Sequence, residues 1–368
     1  MDCKIITIFF SQKHRGKTKI RCAKPLFNCF SIIPSLHLRL CGIFCIGLFI
    51  FSACAFREPS RAFFSLGTLC TITLYEQGQN SVYNEIIFRI NEIENLMSVN
   101  IPSSDISRIN AAAGTEKVQV HKDTFFVIER AVFFARLGGG AFDPTVGPLV
   151  SLWGIGDLNE RIPSREEIEQ ALPLINWRNI FLDSETCSVY LSKKGMALDL
   201  GAIAKGYATD EAAKIIKNAG INRAIVDLGG NIITIGTNKN RPWRIGIQKP
   251  GTSRGETVGV LQITEKTVVT SGSYERFFIE NDRHYHHLFS PFTGYPAKTG
   301  LLSVTIITNI SMNADALSTA VFVLGYEKGM ELINTFEDTE AVFIFEDKSI
   351  ITTSNTDFNL TDNSFYFK

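Results

Sequence analysis

An eleven-residue apolar run, CGIFCIGLFIF at 41–51, separates a leader from the folding body of this 368-residue chain. A membrane-spanning helix needs about 20 apolar residues, so eleven are too few, whereas they suit the core of a secretory signal. His37 and Arg39 precede the run, and it ends in Phe51-Ser52-Ala53-Cys54. Small residues before a cysteine resemble a bacterial lipobox, in which the cysteine is diacylated and becomes the first residue; Phe51 stands where Leu is commonest. Ordinary signal cleavage nearby is the alternative. The expectation is a signal segment over 1–53, a lipidated tether over 54–62 starting at Cys54, and one domain over 63–368. Several acyl chains would hold it stably at the membrane, where one chain binds only marginally.

The zero net charge conceals an asymmetry. Residues 1–53 hold eight Lys/Arg and one acid, leaving 29 basic and 36 acidic residues, a net −7, on the body. An acidic body has no use for a phosphate backbone, so nucleic acid is not an expected partner. Five of the eight cysteines fall in the leader, and Cys54 would be lipidated. Cys70 and Cys187 remain, both in strand-like runs, and read as buried thiols rather than a disulfide framework.

Along the body, Leu66, Thr68, Cys70, Ile72 and Leu74 alternate as in a strand. Helical spacing marks 81–97 and 124–137, the latter stopped by three glycines at 138–140. Ser164 to Glu167 reads as a capping box. Short strands are expected near 179–183 and 187–192, and an Ala-rich helix over 202–219 closed by Gly220. The remainder is mostly strands (223–228, 231–235, 243–248, 258–264, 276–280, 284–289, 302–308), then helices over 313–324 and 326–336 and terminal strands. Strands and helices mix without a βαβ beat, so the fold class is α+β: a largely antiparallel or mixed sheet core with flanking helices, one globular unit with room for two lobes.

Five stretches could carry chemistry, each with a plain structural reading beside it. AFDPTVGP (141–148) is a rigid loop or a wall for a planar ligand. DLGAIAKG (199–206) puts an acid, a glycine and Lys205 at a helix start, where free N–H groups attract anions. It is neither a Walker loop nor a dinucleotide fingerprint. DLGGN (227–231) is a hairpin turn or a place of close backbone approach. HYHHLFSPFTG (284–294) holds three of the body's four histidines. His284 and His286 share a strand face but lack a third zinc ligand, while His287 faces the other way and could act as a general base. NADALST (313–319) sets Asp315 and Thr319 one turn apart, an oxygen pair suited to a hard cation such as Mg²⁺; capping by Asp315 is the alternative.

Together and in this order, these blocks, with LGT (66–68), MSVNIPSSDISRIN (97–110), VDLGGN (226–231) and TSGSYER (270–276), resemble the FAD:protein FMN transferase family, formerly described as thiamine-biosynthesis lipoproteins. The resemblance implies an enzyme that uses Mg²⁺, cleaves the pyrophosphate of FAD, transfers FMN to a Thr or Ser hydroxyl of a partner protein and releases AMP. It implies FAD contacts at Leu66, Asn100, Ala141, Phe142, Asp143, Asp199, Lys205 and Phe289. The metal would sit on Asp315, Thr319 and the carbonyl of Ala202, and His287 would activate the acceptor. The implied partners are flavoprotein subunits of redox-driven ion pumps carrying a Ser/Thr-Gly-Ala-Ser/Thr motif, and the implied place is the bacterial periplasm, lipid-anchored to the inner membrane.

Two positions depart from the family's pattern. Ser290 stands where an Asp is common beside the Pro of the D-P-x-T-G stretch, and Asn100 stands where many relatives carry Tyr. Asn cannot stack on a flavin or adenine ring, so the site is expected to admit water and to split FAD into FMN and AMP without an acceptor. Thr270-Ser271-Gly272-Ser273 lacks the Ala of an acceptor motif, so self-modification is not expected. The second reading is a flavin-binding carrier lipoprotein without catalysis, which would need neither the oxygen pair nor His287.

Overall fold

The computed structural model describes residues 60–76, 80–253 and 255–368. The leader over 1–53, Cys54 and the tether as far as residue 59 lie outside the described residues.

The strands run in chain order β1 (Ser60–Ser65), β2 (Thr68–Leu74), β3 (Val118–Gln119), β4 (Ile180–Asp183), β5 (Ser188–Leu191), β6 (Ala224–Leu228), β7 (Asn231–Ile235), β8 (Trp243–Gln248) and β9 (Thr257–Ile263). Then follow β10 (Thr267–Gly272), β11 (Phe277–Glu280), β12 (Arg283–His286), β13 (Leu301–Thr308), β14 (Glu340–Phe345), β15 (Ser349–Thr352), β16 (Phe358–Leu360) and β17 (Tyr366–Phe367). The helices are α1 (Asn80–Met97), α2 (Asp105–Ala111), α3 (Lys122–Leu137), α4 (Gly147–Trp153), α5 (Arg165–Ala171), α6 (Ala204–Asn218), α7 (Ser311–Leu324) and α8 (Tyr326–Ile333). A nine-stranded sheet, β1-β2-β6-β7-β10-β13-β14-β15-β17, is antiparallel throughout except for the parallel pair β15–β17.

The middle of this sheet is covered on both faces, which is why β13 and β14 read as nearly continuous apolar runs while β2 and β6 alternate. Alternate residues divide between two cores, because successive side chains point to opposite faces. Val226, Ile233, Val269 and Ile306 pack with α1, α3, α6 and α7, whereas Val268, Ile307, Val342 and Ile344 meet β8 and β9 of a second sheet, β16-β9-β8. A third apolar cluster joins Leu149 and Trp153 of α4, Ile168 of α5 and Phe289. The architecture is therefore the expected α+β, with the described residues falling in one compact unit.

Local differences from the sequence reading have physical causes. The strand expected from Leu66 begins at Thr68, because Leu66 (φ 53°) and Gly67 (φ 67°) form a two-residue left-handed turn between β1 and β2. Ser60 to Ala62, expected in the tether, pair with β2. The strand expected over 284–289 stops at His286. The helices α2 and α4 are only seven residues long, too short for a periodic signal, and α4 opens on Gly147-Pro148. The capping box at Ser164 and Glu167 is present, and Cys70 and Cys187 are free thiols; Cys70 is buried as expected, whereas Cys187 is half-buried in the turn before β5, at φ 48°.

Candidate active site

The site is built on the crossing of α6 and α7. A Cβ on Gly206 would lie 2.5 Å from the carbonyl oxygen of Ser311, so only glycine permits this approach. Two carboxylates cross it in opposite directions. Asp210 of α6 accepts from the backbone N–H groups of Ser311 (2.8 Å) and Met312 (2.9 Å), capping α7, and burial pushes its pKa up to about 6. Asp315 of α7 accepts from the Gly206 N–H (2.9 Å) through Oδ2. Asp315 is therefore not the cap of its own helix. Its Oδ1 lies 3.7 Å from Lys205 Nζ, which also donates to the Gly201 carbonyl at 2.8 Å.

Thr319 follows one turn along α7, where Ser271 of β10 meets it: the two hydroxyl oxygens are 3.3 Å apart, and Ser271 is 2.8 Å from Ser318. Beyond β10, the Arg276 carbonyl accepts from the His287 N–H (3.1 Å) and contacts His287 Nδ1 at 3.2 Å. A carbonyl only accepts, so Nδ1 carries the proton and Nε2 keeps the lone pair. Burial, with the Arg276 and Lys205 charges adding, pushes the His287 pKa down to about 3, so the ring is a neutral base at pH 7. Arg276 also reaches the LGT turn: a Cβ on Gly67 would lie 3.8 Å from Arg276 Nη2. That turn abuts the glycine pair, since a Cβ on Gly229 would be 2.3 Å from Thr68 Oγ1.

The remaining blocks form a wall behind the Asp199 loop. Asn110 grips Leu198 through two hydrogen bonds, and the Asp199 N–H donates to the Pro144 carbonyl at 2.8 Å. Asp199 itself accepts from the Gly201 N–H at 2.7 Å. Asp143 is committed internally: Oδ1 accepts from the Thr145 N–H and hydroxyl, and Oδ2 from the Trp177 N–H. Burial raises its pKa. Ala141 and Phe142 are also buried, so any ligand contact at 141–143 runs through the backbone. Asn100 is exposed in the turn after α1, Leu66 is half-buried in its turn, and Phe289 is buried against Trp153.

The zinc pair is not built. His286 Nε2 contacts the Ala297 carbonyl at 3.1 Å, and no group of three or more His, Cys, Asp or Glu side chains gathers among the described residues. Asp315, Thr319 and the half-exposed Ala202 offer only hard oxygens, a set that suits Mg²⁺. Sequence reasoning missed Asp210, Ser271, Arg276 and Asn231 as site residues, although the last three stand in quoted motifs. Asn231 is 1% exposed and neither amide atom has a partner among the described residues. It pairs with Val269 across β7–β10, so it shares a sheet face with Ser271. A buried orphan amide at this position suits a ligand or water offering both a donor and an acceptor.

The ApbE family profile matches residues 66–343, spanning all eight motifs. The chain belongs to the ApbE family. The FAD:protein FMN transferase of Treponema pallidum is 36% identical over 329 residues, 84% of this chain and 90% of that protein. That of Klebsiella pneumoniae is 36% identical over 289 residues, 78% of this chain and 90% of the relative. Among solved structures, the ApbE protein of Thermotoga maritima superposes with a TM-score of 0.74 at 36% identity, covering 80% of this chain and 96% of its own. The flavin transferase ApbE of Vibrio cholerae gives 0.70 at 28% identity, covering 83% and 97%.

Proposed function

We propose that this chain is an FAD:protein FMN transferase: it takes FAD, moves FMN to a Thr or Ser hydroxyl of a partner protein and releases AMP, with Mg²⁺ bound at Asp315, Thr319 and the Ala202 carbonyl. The observation that carries the reading is the neutral His287 brought to the same site as Lys205, Asp315 and Thr319, in a chain similar to named FAD:protein FMN transferases. A hydroxyl is a weak nucleophile at pH 7 and needs a base within hydrogen-bond reach. His287 Nε2 takes the acceptor proton as the acceptor oxygen bonds to the FMN phosphorus. The bond from that phosphorus to the bridging oxygen breaks, and AMP leaves with the oxygen. Phosphoryl transfer depends mainly on positioning and neutralising charge. Lys205 supplies part of that neutralisation, and bound Mg²⁺ would supply the rest at the pyrophosphate. The backbone wall at 141–143 and the Asp199 loop orient the dinucleotide.

Exposed Asn100 supports a side activity, FAD pyrophosphatase, in which water takes the place of the acceptor hydroxyl. The acceptors we propose are flavoprotein subunits of redox-driven ion pumps carrying a Ser/Thr-Gly-Ala-Ser/Thr motif. The enzyme would be held on the periplasmic face of the inner membrane through Cys54. Incubating residues 55–368 with FAD and Mg²⁺, with and without an acceptor peptide, tests the reading by mass spectrometry. An FMN-sized gain on the peptide, abolished by EDTA, is expected, together with acceptor-free AMP release that falls in Asn100→Tyr. Intact FAD throughout would point instead to a carrier without catalysis.

A further inference from the structure

The hydroxyl cluster under α7 has a hydrogen-bond direction that can be read from its donors. Ser318 Oγ lies 2.9 Å from the Asp315 backbone carbonyl, which only accepts, so the single Ser318 proton is spent there. The 2.8 Å contact between Ser318 and Ser271 must then be donated by Ser271. That uses the one Ser271 proton, so the 3.3 Å contact between Ser271 and Thr319 must be donated by Thr319. The relay runs from Thr319 through Ser271 and Ser318 to the carbonyl of Asp315, and both lone pairs of Thr319 are left free of proton donors within it.

We propose that Ser271 is a positioning residue for the metal: by accepting the Thr319 proton from the opposite strand it turns that hydroxyl into a pure oxygen ligand aimed away from β10. A Thr in a helix otherwise tends to donate back to the carbonyl four residues earlier. Here that carbonyl belongs to Asp315 and already accepts from Ser318. The relay therefore ties the Thr319 side chain and the Asp315 backbone to one hydroxyl network, anchored on Ser271 of β10. Ser271 touches neither FAD nor the reacting atoms in this account. The inference rests on Asp315 and Thr319 holding the cation, and the experiment separates the two claims.

Metal affinity is measured on the folded protein by calorimetry with Mg²⁺ and by electron paramagnetic resonance with Mn²⁺, both without acceptor. Ser271→Ala is expected to weaken either ion about tenfold, the usual loss when a group that orients a ligand is removed. Ser271→Thr keeps the hydroxyl and is expected to bind as the parent does. In turnover, the Mg²⁺ concentration for half-maximal rate should rise in Ser271→Ala while the rate at saturating Mg²⁺ recovers. In a Thr319→Ala background, Ser271→Ala should cost nothing further. Unchanged metal affinity in Ser271→Ala, with a clear loss in Thr319→Ala, overturns the role of Ser271 alone. Unchanged affinity in Thr319→Ala overturns the metal site beneath it. Equal losses in Ser271→Ala and Ser271→Thr would assign the effect to packing and also refute the relay.

Discussion

Asp143 and Asp315 each precede a Thr, two and four residues on, and they are almost equally buried, at 7% and 4% exposure. What separates them is how their oxygens are spent. Asp143 accepts three hydrogen bonds, all from its own loop and the Trp177–Asn179 turn, and holds that corner of the site rigid. Asp315 accepts one backbone N–H through Oδ2 and keeps Oδ1 at 3.7 Å from the Lys205 ammonium, one helical turn before Thr319. A buried carboxylate with its valences filled by neighbours is a brace; one with an oxygen in reserve is a ligand. Burial alone does not distinguish them.

The comparison is sharpest in Asp315→Asn, which keeps an acceptor for the Gly206 N–H but loses the charge. It should lower FMN transfer by about 10³-fold, several kcal/mol of transition-state stabilisation, with the melting temperature little changed. The same fall in Asp143→Asn at an unchanged melting temperature would break the comparison. Next is His287→Ala, expected to slow transfer to an acceptor peptide about 10²-fold while FAD binding, followed by flavin fluorescence, is retained.

Its low pKa sets a pH signature. The folded chain holds His287 neutral down to about pH 3, whereas the unfolded chain protonates it near its ordinary value of 6.5. Between those values the unfolded state binds more protons, so stability rises with pH through that window; this contribution is complete above 6.5 and is lost as pH falls toward 3. Asp210, raised to about 6, works in the opposite sense between its ordinary 3.8 and 6. The transfer rate per folded molecule should accordingly show no acid limb near pH 6.5. A limb there that vanishes in His287→Ala would refute the assignment of a neutral base. The third effect falls on stability: Asp143→Ala leaves the Thr145 and Trp177 N–H groups unpaired and should cost about 2 kcal/mol in urea titration.

These roles were legible in sequence to different depths. Helices α1, α3 and α6 announce themselves through spacing, α3 and α6 also through the glycines that follow them, and every residue expected at the site falls in one of the linked blocks. Periodicity could not reveal which acid is committed, because that depends on contacts across the chain: Asp143 with Trp177, 34 residues away, and Asp315 with Gly206, 109 away. Asp210 was invisible for the same reason, since it caps a helix 101 residues downstream. Ser271 and Asn231 stood inside quoted motifs, yet only the strand register places them on the helix-facing side. The turn at Leu66 was hidden because a leucine with positive φ breaks the expectation that glycine or asparagine takes such positions.

The smallest effect is expected far from the chemistry. Ser164 caps α5 through the Glu167 N–H at 3.2 Å, and Glu167 returns a carboxylate oxygen to the Ser164 N–H at 2.8 Å. The box itself is at the surface, but the helix it opens adds Ile168 and Ala171 to the cluster of Phe289 and Trp153, which supports the loop following His287. Ser164→Ala should cost about 1 kcal/mol, the usual loss for an N-cap serine, and leave FMN transfer at saturating FAD unchanged. Urea titration and steady-state rates on one preparation decide it. If the rate falls with that small loss of stability, α5 is coupled to the position of His287 through Phe289, and the division between bracing and reacting groups has to be moved outward to include this helix. If only stability moves, the division stands at Trp153, whose Nε1 donates to the Gly294 carbonyl at 2.9 Å and fixes the loop without help from the cap.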